Sequence, residues 1–143
     1  MDDIIDLELE KIEKIIAKID SDPESEEVKE AEKHLWEKIY KKSGQGRRTG
    51  VGITAEGDML AAMGLRYGTE EATEFSEQVH KTIALEAYRS SVNMAKERGA
   101  FAIYDSEREK KNPFINRLKE ADPELYEEMK KYGRRNIACL TIA

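Results

Sequence analysis

The sequence holds a single cysteine, Cys139, in 143 residues. One thiol excludes an internal disulfide framework and any zinc site built from several thiolates, and it suits a reducing, cytoplasmic compartment. Aromatics are also scarce at 7%, against 38% charged residues. That balance fits helices with one apolar stripe and wide solvated faces better than a thick all-round core. No run approaches the ~20 apolar residues of a membrane span, and the start, Met-Asp-Asp-Ile-Ile-Asp, lacks the basic residues of a signal peptide. A basic surplus is missing too. Thirty acidic against 24 basic side chains leave a net charge of −6, which argues against a nucleic-acid partner because phosphate neutralisation needs a basic face. Any polyanion site must be local.

What is present is helical periodicity. Ile5, Leu9, Ile12, Ile16 and Ile19 recur at steps of four and three, widened by Ile4 and Ile15, and predict a helix over residues 2–20. Ser21-Asp22-Pro23 breaks it, with Asp22 as cap and Pro23 as first residue of a second helix running to about Lys42. That helix would turn Val28, Ala31, Leu35, Trp36 and Ile39 inward, so residues 1–45 read as a helical hairpin. The glycines of 43–50 stop the helix, and Val51-Gly52-Ile53-Thr54 reads as a short buried strand. Asp58 then caps a brief helix, and Gly68-Thr69-Glu70-Glu71 opens the longest one, to Arg98. Ala100–Tyr104 is expected to be extended, and short helices start at Pro113 and Pro123. The chain closes on Arg134-Arg135-Asn136 and an apolar run, Ile137 to Ala143, that reads as a second buried strand.

The expected fold is therefore mainly α with two or three short strands. Two strands do not make a self-sufficient sheet, and the last has no turn after it and no partner beyond Val51–Thr54. Residues 46–143 thus read as part of a layered segment that needs strands from elsewhere, with no complete domain in the chain.

Few residues carry legible chemistry. The pairs Arg47-Arg48 and Arg134-Arg135 stand just before the two strands, and forked guanidinium groups suit bidentate capture of phosphate or carboxylate. The alternative is that they pair with the many carboxylates around them. Gly44-x-Gly46 and Gly50-x-Gly52 complete neither a dinucleotide fingerprint nor a P-loop. Glu56 and Asp58 follow a strand, where carboxylates can do acid–base work or hold a metal, but Asp58 as a cap is simpler. His34 and His80 lack ligand partners at metal spacing, and Cys139 reads as a small buried hydrophobe. No metal site is expected.

Residues 46–72, Gly-Arg-Arg-Thr-Gly-Val-Gly-Ile-Thr-Ala-Glu-Gly-Asp-Met-Leu-Ala-Ala-Met-Gly-Leu-Arg-Tyr-Gly-Thr-Glu-Glu-Ala, closely resemble the catalytic chain of class II, adenosylcobalamin-dependent ribonucleotide reductases. Ala95-Lys-Glu-Arg-Gly-Ala-Phe101 and Arg134-Arg-Asn-Ile-Ala-Cys-Leu-Thr-Ile-Ala143 follow in the family's order. The helices before Lys42 are similar to the variable segment that precedes this region, so the resemblance covers essentially the whole chain.

The resemblance implies an internal fragment of the family's ten-stranded α/β barrel, with 46–143 a partial barrel segment. The parent would reduce ribonucleoside diphosphates to deoxyribonucleotides by thiyl-radical chemistry, with cobalamin generating the radical. Its partners would be the remainder of the reductase chain, a ribonucleotide substrate and a nucleotide effector. No catalytic residue is expected here. The family's radical cysteine sits in Asn-x-Cys-x-Glu, whereas Cys139 has Ile137 two before it and Thr141 two after it. The electron-supplying cysteine pair is missing as well, so the chain alone should bind no cofactor and be inactive.

In the family a Pro-Thr-Gly-Thr loop holding substrate phosphates comes next after the position of Ala143. Asn136, Thr141 and Ala143 would lie on the approach to it, and Arg47, Arg48, Arg134 and Arg135 are the candidate anion contacts. Thr54-Ala55-Glu56-Gly57 departs from the more apolar turn of many relatives. The rival reading is a small helical binding or dimerisation module using the Ile5-Leu9-Ile12-Ile16-Ile19 stripe.

Overall fold

The computed structural model describes residues 1–137, 139 and 140. Among them the fold is carried by α1 (Asp2–Ile19), α2 (Glu26–Gly46), α3 (Glu56–Ala62), α4 (Glu70–Arg98), α5 (Ser106–Glu109), α6 (Pro113–Ala121) and α7 (Pro123–Tyr132). None of these helices is long and apolar enough to cross a membrane.

Helix α1 buries Ile5, Ile12 and Ile19 within the chain itself. It pairs with α2, where the Tyr40 hydroxyl donates to Glu13 at 2.8 Å. The proposed dimerisation stripe is thus already used. The start of α2 differs from expectation: Ser25 is its cap, accepting from the Val28 N–H at 3.4 Å, and Pro23 lies outside the helix. Asp22 instead pairs with Lys18 at 3.0 Å, and Ser25-Glu26-Glu27 supplies a cap followed by acidic residues at the positive end of the dipole.

The inward face of α2 is shifted as well. Trp36, Ile39 and Tyr40 are half-buried, whereas Val28 and Leu35 stay exposed. Gly44 and Gly46 do not stop the helix. It ends at Arg47, whose left-handed backbone (φ 44°) occupies the place where glycine is usual.

Helix α4 spans the residues expected, capped by Thr69 and ended by Gly99 at φ 83°. Asn112 and Asp122 cap α6 and α7 through the Phe114 and Leu125 N–H groups at 3.0 and 2.9 Å, each with proline in the first turn. Asp58 is not a cap, because α3 begins two residues earlier, after Ala55 in the left-handed region (φ 61°). Helix α5 has no apolar period to announce it. It exists because Asp105 caps it.

The expected strands are not found among the described residues. Val51–Thr54 and the end of the chain meet in one isolated parallel bridge, Val51 to Leu140, with the Val51 N–H on the Cys139 carbonyl at 3.0 Å. Ala100–Tyr104 forms a turn, closed by the Tyr104 N–H on the Phe101 carbonyl. The reading of mainly α with two or three strands is therefore corrected: among the described residues the regular elements are all helices, and no strand of a barrel is seen. The physical reason lies in the segments: Gly50 and Gly52 weaken the first, the turn at Ala55 cuts it off, and one bridge cannot sustain a ladder. Residues 138 and 141–143 of the expected last strand lie outside the described residues.

The main core joins Tyr88 and Val92 of α4, Ile115 and Leu118 of α6, Leu125, Tyr126 and Met129 of α7, and Cys139. Burying one such Leu or Ile contributes about 1.5–3 kcal/mol. These contacts hold Cys139, and with it residues 134–137, against α4, where the polar sites form.

Candidate functional site

Two polar clusters flank the 134–137 segment. The first centres on Asp2, which has only 3% of its surface exposed. Its Oδ1 accepts from Arg47 Nε at 2.8 Å and from Asn136 Nδ2 at 3.1 Å, and its Oδ2 accepts from Arg135 Nε at 2.9 Å. Arg98 adds a longer ion pair at 3.5 Å and also grips Asp3. Arg47 reaches on to Asp6 at 2.8 Å. Asn136 is held three further times, by its N–H on the Ser91 hydroxyl, by its amide on the Arg47 carbonyl and by the Ser91 hydroxyl donating to its Oδ1, at 3.0–3.1 Å.

Burial alone would raise the Asp2 pKa. The hydrogen bonds and charges of Arg47 and Arg135 outweigh it and lower the pKa to about 2. A depressed native value means stability that is present above the unfolded carboxylate pKa of about 4 and lost as pH falls through 2. Stability read at Trp36, the sole tryptophan, should drop by about 2 kcal/mol across that window. Replacing Asp2 with asparagine should flatten this part of the acid profile, and an unchanged profile would contradict the assignment.

The second cluster centres on Arg134, 2% exposed. Its guanidinium bonds Glu109 Oε1 at 2.6 Å and the Ile137 carbonyl at 3.0 Å, and it reaches the Tyr88 hydroxyl at 3.4 Å. The Tyr88 and Phe101 rings flank it at 5.2 and 5.7 Å. Cys139 is buried close by, and burial pushes its thiol pKa up, which keeps it protonated and a poor nucleophile.

Of the residues singled out as anion contacts, Arg47, Arg134 and Arg135 are thus occupied by Asp2, Asp6 and Glu109, while Arg48 is exposed. Asn136 sits among Ser91, Asp2 and Arg47, and Thr141 and Ala143 lie outside the described residues. Asp2, Ser91, Tyr88 and Glu109 were not legible as partners. The only signal was charge, since Asp2 and Asn136 are 134 positions apart.

A cleft of about 820 Å³ opens between residues 51–56, the middle of α4, α6 and Leu140. Ile53, Leu85, Phe114 and Leu118 line it together with Glu56, His80 and Arg117. The Ser76 hydroxyl donates to Glu56, and His80 Nδ1 lies 2.9 Å from the Ser76 carbonyl of its own helix. A ring nitrogen bonded to a carbonyl carries the proton, so it cannot take one from Ser76. The Ser76 hydroxyl is directed at the Glu56 carboxylate instead.

The family model described as ribonucleotide reductase, barrel domain, matches residues 15–143. A vitamin B12-dependent ribonucleoside-diphosphate reductase of Thermoplasma acidophilum is 37% identical over 86 residues, covering 59% of this chain and 11% of that protein. The ribonucleoside-diphosphate reductase subunit alpha of Chlamydia pneumoniae is 29% identical over 116 residues, 68% of this chain and 11% of that protein. A vitamin B12-dependent ribonucleoside-diphosphate reductase of Mycobacterium tuberculosis is 34% identical over 62 residues, 43% of this chain and 9% of that protein. The chain therefore spans about a tenth of the length of the curated relatives it matches. No solved structure matches it.

The cleft is within the size range of sites for drug-sized ligands, about 300–1,000 Å³, and His80 bonds its own helix through Nδ1, so Nε2 is its remaining ring nitrogen for a ligand.

Proposed function

Because the chain belongs to the ribonucleotide reductase barrel-domain family, we propose that it is a structural section of a vitamin B12-dependent ribonucleoside-diphosphate reductase, positioning a backbone segment without performing the chemistry. The observation that carries this reading is the fixing of residues 134–137. Arg134, Arg135 and Asn136 each bond the chain itself, through Glu109, Asp2 and Ser91. A guanidinium already neutralised by a carboxylate is a weak anchor for substrate phosphate, but it holds the backbone it belongs to.

The reaction supplies the second argument. Replacing a 2′-hydroxyl by hydrogen releases water and consumes two electrons and two protons, which a dithiol provides as it closes to a disulfide. A chain with one cysteine cannot close that bond on its own. The substrate class, ribonucleoside diphosphates, and the use of cobalamin follow from the relatives' names and belong to the parent enzyme as a whole. The partner of this section is accordingly the rest of the catalytic polypeptide.

Assayed alone with adenosylcobalamin, a dithiol and ribonucleoside diphosphates, residues 1–143 should give no deoxyribonucleotide above the blank. Sustained turnover would show chemistry that the proposal assigns elsewhere.

A further inference from the structure

We infer that the α1–α2 hairpin is a hinged arm, fastened to the rest of the chain by an ionic clasp and able to swing as a unit. The division runs through the packing. The apolar core of α4, α6, α7 and Cys139 contains no residue of α1 or α2, while α1 buries its isoleucines separately. Between the two lies a polar seam. On the arm side stand Asp2, Asp3 and the carbonyls of Gly46 and Arg47, and on the body side Arg98, Arg135 and Asn136. The Ile137 N–H closes the seam on the Gly46 carbonyl at 3.0 Å.

An apolar interface resists opening in proportion to its area, whereas a polar seam opens when a few directed bonds are exchanged for water. The connection between arm and body supports rotation there: Arg47 ends α2 in a left-handed conformation, and no helix continues until Glu56. Arg47 remains with the arm during the motion, because its ties to Asp2 and Asp6 are internal to it. Asn136 bonds the arm and α4 together, so the state of the arm is transmitted to the residues that meet Val51.

Hydrogen exchange on the 143-residue chain tests this, with the Ile137 amide as reporter. Arg135→Gln should speed its exchange about tenfold, and the more exposed Arg98 should matter less, a few-fold in Arg98→Gln. Amides inside α1, α2 and the α4–α7 core should stay within about twofold of wild type. A parallel rise throughout both helices and the core would mean a single cooperative unit and overturn the arm. So would an Ile137 amide unchanged in both variants. If Arg135→Gln fails to fold, Arg98→Gln decides the question by the same two readings.

Discussion

Replacing Asp2 with alanine is expected to destabilise the α1–α2 portion of the chain by about 3–5 kcal/mol, the usual cost of removing one partner from a buried ionic group. The size follows from what is left behind. Arg47 and Arg135 lose the carboxylate they share, and Arg47 keeps the backbone carbonyl of residue 2 and Asp6, whose side chain is half exposed. Asn136 loses an acceptor in the same buried space. Trp36 lies on α2 and reports this transition in urea. Its midpoint should fall well below that of wild type, and the Asp2 share of the acid-dependent loss between pH 4 and pH 2 should disappear with the carboxylate. A midpoint within error of wild type would mean that the cluster contributes nothing net, as many exposed ion pairs do.

Arg134→Met is the second large effect, expected at about 3 kcal/mol in the stability of the α4–α7 core. Methionine keeps the stem between Tyr88 and Phe101 but leaves Glu109 without its partner and the Ile137 carbonyl without its donor. Adding Glu109→Gln should recover part of the loss, since it removes the orphaned charge, and a double-mutant cycle measures how much. That recovery separates an internal tie from an anion anchor. If Arg134 served chiefly to bind phosphate, its loss would leave stability near wild type and weaken anion binding, with no coupling to Glu109.

These two residues also show how far the sequence could be read. The helix periods of α1 and α4 were legible because their apolar residues recur at helical spacing with caps at the right places. Asn112-Pro113 and Asp122-Pro123 were legible because an Asx cap followed by proline has one physical use. Ser21-Asp22-Pro23 looked alike but lost to Ser25, since Asp22 is engaged by Lys18. The strand at Val51–Thr54 was misread because a short apolar run carries no partner information, and a single bridge at Val51 is all the described residues provide.

Among the arginines, the motif showed which side chains matter but not what they hold. Pairing with nearby carboxylates was the open alternative, yet the particular partners, Asp2 for Arg135 and Glu109 for Arg134, come from positions 133 and 25 residues away. Nothing local in the sequence joins them. The family, by contrast, was readable from the run at 46–72, because a long specific stretch carries information that single residues do not.

If this chain supplies a reductase with structure, its residues should replace those of a relative without loss of the chemistry. The 86 matched residues of the Thermoplasma acidophilum relative would be replaced by their counterparts here. Adenosylcobalamin-dependent reduction of ribonucleoside diphosphates would then be assayed. Turnover is expected within about tenfold of the parent, a change of roughly 1.4 kcal/mol in the barrier. A folded, soluble chimera that reduces no nucleotide above the blank would contradict it.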